Sequence, residues 1–283
     1  KKDLKNIKKV YKYFYPNIHF SLSDILKKNI HKKLFSLEMN KKNHLKNKTR
    51  NGQMLWSKAK TIIPGGNMLL SKNPERYLPN LWPTYFKFAK GCKVKDLDNN
   101  EYTDFSTMGV GTNILGYGNF AIDLAVKKII AAGNMSTLNC AEEVKLAEKL
   151  VELHPWSDMV KFTRTGGEAN SLAIRIARAA SGRDKVAICG YHGWHDWYLS
   201  ANLNYQKKKS LDGHLLKGLE IEGVPKNLKN TVFPFKYGDL ENFKKVVAQN
   251  NIGTVKMEVC KNTLPNLKFL RMIRDYTKKN NII

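Results

Sequence analysis

Two clusters carry the residue types from which a binding site can be built. The first is Thr165-Gly166-Gly167, within FTRTGGEAN at 162–170. It lies between a short apolar run and a long helical pattern, so the glycines fall at the start of a helix. The free N–H groups of a helix start point outward, its dipole favours an anion, and glycine lets a ligand approach the backbone. Thr165 adds a hydroxyl. The spacing is neither that of a P-loop nor that of a dinucleotide fingerprint, so by itself it reads as an anion site or as a tight turn. The second cluster is GYHGWHDWYLSANL at 190–203, directly after a candidate strand ending at Cys189. Tyr191 offers a flat ring that can stack on a ligand. His192 and His195 are either ligand contacts or hydrogen-bonded packing, and with no third ligand at their spacing no metal site is expected. Trp194 and Trp197 read as core or interface. Glu258 closes another candidate strand, where it meets solvent, a ligand or a side-chain partner, because an unpaired buried carboxylate is costly. Arg175 and Arg178 read as solvated or helix-packing.

The elements that must position these residues follow from periodicity. A helical pattern from 51 (Met54, Leu55, Ala59, Ile62) runs into PGG at 64–66. Alternating residues over 85–105 predict strands reversing at Asp98-Asn99-Asn100, followed by a glycine-rich loop at 109–118. Helices are predicted over 120–132 and 141–153, the second ended by Pro155. From there strands at 158–164, 185–189, 231–235 and 255–259 interleave with helices at 167–181, 239–249 and 265–279. A further strand opens at Ile282-Ile283. This alternation predicts a mostly parallel α/β sheet covered on both faces, with ligands at the carboxyl ends of its strands. Tyr191, the glycine turn and Glu258 then share one rim.

Composition narrows the class. With 283 residues and 42% hydrophobic content the chain can bury a large core. The formal charge of +25 is concentrated in residues 1–50. Without a zinc module, an aromatic RNA platform or a recognition-helix pattern, it reads as a lysine-rich surface rather than a nucleic-acid site. The four cysteines share no ligand spacing, which points to a reducing compartment. No apolar run reaches the length of a membrane span, and a cytoplasmic protein is expected.

With these residues in place, the chain resembles the class III aminotransferases, which have the pyridoxal-phosphate fold type I, and most of all their glutamate-1-semialdehyde aminomutase-like branch. The likeness rests on IIPGG at 62–66, GCKVKDLDNNEYTDF at 91–105, GNMSTLNCAEE at 133–143, the block at 160–196 and VKMEVCKN at 255–262. It implies the cofactor-bearing large domain over 119–283, holding the N-terminal part of that domain's sheet. A small α+β segment at 51–118 precedes it, and 1–50 is a basic arm or the end of an upstream domain. It further implies pyridoxal 5'-phosphate, with its phosphate at Thr165, Gly166 and Gly167, its ring against Tyr191 beside His192, and Glu258 close by. Relatives more often read Ser-Gly-Thr at the turn, so one side-chain donor fewer is expected here, and they read Glu-Pro where this chain has Glu258-Val259. Trp82 to Phe86 and Met108-Gly109 match regions bordering the substrate pocket.

The same resemblance implies an amino/oxo compound as substrate, transamination or aminomutation as reaction, and a homodimer. It also calls for a Schiff-base lysine and an aspartate at the pyridine nitrogen. Neither has a counterpart in 1–283, so no catalytic residue is named. The chain, which does not begin with Met, is expected to be an inactive fragment of a longer enzyme. A non-catalytic cofactor-binding remnant is the alternative, and a basic nucleic-acid binder is the weaker one.

Overall fold

The computed structural model describes residues 50–134, 136–204, 221–260 and 264–283. The expectations for residues 1–49 lie outside these. Two compact units divide between Ser136 and Thr137.

In the first unit, helix α1 (Asn51–Ile62) buries Trp56 and Ala59 and gives way to Gly65 and Gly66, both at positive φ. A Cβ on Gly66 would lie 2.3 Å from the Trp56 ring, so the PGG turn is packed onto that indole. Strands β1 (Phe86–Lys90), β2 (Lys93–Asp96) and β3 (Glu101–Thr103) form an antiparallel meander. Its second turn is tied by Asp96, which accepts bonds from the amides of Asp98 and Asn100, the Asn100 side chain and the Tyr102 hydroxyl. Burial raises the Asp96 pKa, but these donors outweigh it and hold the carboxyl below its usual range. Helix α2 (Phe120–Ala132), capped by Asn119, closes the unit and buries none of its residues.

In the second unit, α3 (Ala141–Leu153) and α4 (Gly166–Ser181) precede three parallel strands. These are β4 (Val186–Cys189), β5 (Val232–Pro234) and β6 (Thr254–Met257), with β4 in the centre of the order β5-β4-β6. β4 is buried throughout, as a strand covered on both faces must be. Val186 and Ile188 face a core with Ile174 of α4 and the aromatic residues Trp197 and Tyr198. Ala187 and Cys189 face the opposite core, filled by Phe243, Val247, Phe269 and Ile273. Those residues come from α6 (Leu240–Asn250) and α7 (Leu267–Lys279); the one-turn helix α5 (Asp196–Leu199) belongs to the first face. Ile283 donates to the Gly253 carbonyl and accepts from the Val255 amide, a parallel pairing of this one residue with the β6 edge.

One expected strand does not form. Residues 158–164 are irregular, with Met159 exposed and no strand alongside them among the described residues. A short apolar run does not by itself make a strand, since each extended backbone needs a ladder partner for its amides and carbonyls.

Candidate functional site

Thr165 is the N-cap of α4. Its hydroxyl oxygen accepts from the Glu168 amide at 3.2 Å, and the Glu168 carboxylate accepts in return from the amides of Arg164 and Thr165 at 2.8 and 3.2 Å. This capping box leaves two donors at the helix start. Among the described residues the amides of Gly166 and Gly167 reach no protein acceptor, and Gly166 is exposed. The Thr165 hydroxyl hydrogen is also uncommitted. The helix dipole adds to this local positive potential.

The loop after β4 lies directly against that helix start. A Cβ on Gly193 would stand 3.2 Å from the Gly167 Cα, and one on Gly167 would stand 2.9 Å from His195 Nε2. The two backbones meet only because both positions are glycine. Side chains lock the approach: Asn170 donates to the His192 carbonyl at 3.2 Å, and Ser171 Oγ is bonded to His195 Nδ1 at 2.7 Å and to Trp197 Nε1 at 3.1 Å. The glycine turn and the aromatic loop therefore form one surface, although no strand feeds the turn.

On that loop Tyr191 is half-buried and meets Tyr198 edge-on, with ring centroids 6.0 Å apart. Burial raises its phenol pKa, so the ring is neutral at ordinary pH. His192 is buried: its ring packs against both Trp197 and Tyr198, and Nε2 is 3.1 Å from the Cys189 carbonyl. Trp197 is core, whereas Trp194 is exposed. Glu258 follows β6 with its amide bonded to the Cys189 carbonyl at 3.0 Å. Its side chain lies against Gly190, and its Oε2 is buried without a hydrogen-bond partner among the described residues. Lys256, two residues earlier on β6, has its pKa lowered by burial, an effect that the Glu258 charge opposes. Arg178 donates to the Asp184 carbonyl, a packing role, and Arg175 is exposed.

The sequence predicts Thr165, Gly166, Gly167, Tyr191, His192 and Glu258 along one rim. The structure joins the turn to the loop and the loop to Glu258. His195 and Ser171 were not singled out for this contact, and their only sequence signal was a histidine near a glycine loop. In the other unit Met108, Gly109 and Val110 all have positive φ, an uncommon backbone for the β-branched Val110.

A model of the aminotransferase class-III family matches residues 79–283. The chain is similar to the 3-aminobutyryl-CoA aminotransferase of Cloacimonas acidaminovorans, with 34% identity over 69% of this chain and 42% of the relative. It is also similar to the glutamate-1-semialdehyde 2,1-aminomutase of Methanococcoides burtonii, with 32% identity over 81% of this chain and 53% of the relative. It thus spans about half the length of the curated relatives it matches. Among solved structures, an omega-transaminase from Sphaerobacter thermophilus superposes with a TM-score of 0.69 and 25% identity, covering 84% of this chain and 55% of the other. The glutamate-1-semialdehyde aminomutase of Pseudomonas aeruginosa shares the fold, with a TM-score of 0.66 and 20% identity over 89% of this chain and 53% of the other.

Proposed function

The chain belongs to the class-III aminotransferases, and on that premise we propose that it holds pyridoxal 5'-phosphate for an enzyme that moves an amino group between amino and oxo compounds or within one molecule. The observation that carries this reading is the pair of amides, Gly166 and Gly167, that have no acceptor among the described residues and are held against the loop that displays Tyr191. The site meets the needs of such a cofactor on two counts. A doubly charged phosphate needs a cradle of N–H donors that no Cβ obstructs, and the glycines of the turn provide one. The buried Glu258 Oε2, without a partner among the described residues, is the kind of acceptor that a polar ligand or its bound water relieves.

In this reading Thr165, Gly166 and Gly167 bind the phosphate, and Tyr191 offers a flat face to the ring. His192 works from behind, its buried ring keeping the loop in register, and Glu258 closes the rim at Gly190. When bound, the cofactor supplies an electron sink for charge developing at the substrate carbon. The residues of this chain anchor and orient it, and they keep water from the buried side of the loop. We propose a homodimer for the whole enzyme, supported by the apolar Phe120, Ile122 and Ile130 exposed on α2. A cytoplasmic setting is supported by four free cysteines.

Pyridoxamine phosphate tests the reading without aldehyde adducts on the many surface lysines. A bound, achiral ring in a fixed site is expected to show induced circular dichroism. Tyr191→Ala is expected to lose most of that signal and to weaken binding about tenfold, the size of one stacking contact of 1–1.5 kcal/mol. A wild-type chain with no induced signal at millimolar ligand would refute the reading.

A further inference from the structure

We propose that His195 supplies the donor that Gly167 lacks: its Nε2–H is a phosphate contact at the turn, held there by Ser171 and Trp197. This rests on the reading of Thr165–Gly167 as a phosphate cradle, and it adds a residue that neither the motif nor the resemblance assigned.

A side chain at 167 would place its Cβ 2.9 Å from His195 Nε2 and 3.1 Å from Cδ2. The imidazole edge therefore stands where a side chain at 167 would begin, beside the first turn of α4. A hydroxyl residue at 167 and the His195 ring in this position exclude each other. Loss of the hydroxyl is thus coupled to entry of a ring nitrogen at the same place.

The proton position follows from the bonds behind the ring. An indole N–H only donates, so Trp197 Nε1 takes one lone pair of Ser171 Oγ at 3.1 Å. No other acceptor among the described residues takes the Ser171 hydrogen, and it is assigned to His195 Nδ1 across their 2.7 Å contact. A neutral imidazole that accepts at Nδ1 carries its proton on Nε2. Nε2–H then joins the amides of Gly166 and Gly167 on the anion side of the helix start. The Trp197–Ser171–His195 chain sets the direction of the ring, which makes Ser171 a positioning residue.

Binding of pyridoxamine phosphate and of pyridoxamine to the full 283-residue chain gives the test as a ratio of the two dissociation constants. His195→Ala is expected to shrink the phosphate preference about tenfold, the size of one charge-assisted hydrogen bond, and to leave pyridoxamine binding unchanged. Gly167→Ala, which pushes the ring aside without removing it, is expected to give a similar loss, and Ser171→Ala a smaller one. A wild-type preference left intact by both His195→Ala and Gly167→Ala overturns the role of His195 while the cradle stands. No wild-type preference at all overturns the cradle as well. Should the variants fold poorly, inorganic phosphate titrated into the wild-type chain, with nitrogen NMR on the histidine rings, decides the matter. The His195 Nε2 resonance is expected to move, and a static Nε2 overturns the proposal.

Discussion

Gly190→Ala is expected to lower stability by about 3 kcal/mol or more and to abolish the candidate site, through two separate costs. Gly190 has φ +100, a backbone that L-residues rarely adopt. The added Cβ would also lie 2.3 Å from Glu258 Oε2 and 2.7 Å from its Cδ and Cγ. Turning the carboxylate alone does not relieve this, because Cγ is itself within 2.7 Å and the whole side chain must take another rotamer. Gly182→Ala separates the two terms. Gly182 has φ +64 at the C-cap of α4 with nothing within 4 Å of the added atom, so only the backbone cost of about 1–2 kcal/mol applies. Urea unfolding of both variants, with induced circular dichroism of pyridoxamine phosphate, checks the pair. Equal destabilisation would mean that the Glu258 contact carries no weight.

Tyr198 is the second position where a large effect is expected. Its ring is fully buried, it meets Tyr191 and His192 edge-on, and its hydroxyl donates to the Gly190 carbonyl at 2.9 Å. Burial raises its pKa, so it remains a neutral donor at any ordinary pH. Tyr198→Ala removes a large core ring and is expected to cost about 4 kcal/mol. Tyr198→Phe keeps the ring and loses one hydrogen bond, for about 1 kcal/mol. The informative outcome is the split: the Phe variant stays folded but loses a larger share of ligand-induced signal than of stability, because the lost bond held the loop. A Phe variant with unchanged ligand signal would show that the hydroxyl serves stability alone.

How much of this was legible depends on how local each determinant is. The start of α4 was legible because Thr165, the glycines and Glu168 lie within one turn and cap each other. β4 was legible because an unbroken apolar run between polar ends suits a strand buried on both faces. The segment 158–164 does not form the expected strand because a short apolar run is local, whereas a ladder partner is a tertiary fact. Gly66 showed the same limit: the sequence marked a turn, but not the Trp56 ring against which it packs. The contact between Gly167 and His195 was illegible for a related reason. Nothing in either motif states that the two loops touch, and the meeting of Gly167 with Gly193 appears only once the helix and the strand are in place. The family's presence was legible from blocks of residues, and the family model matches residues 79–283.

The most direct measurement is amide NMR of the nitrogen-15-labelled 283-residue chain during addition of pyridoxamine phosphate. The Gly166 and Gly167 amides are expected to shift downfield together as each gains a charged acceptor, with Tyr191 ring resonances moving at the same ligand concentration. Saturable binding that leaves both glycine amides in place would contradict the phosphate cradle at this helix start.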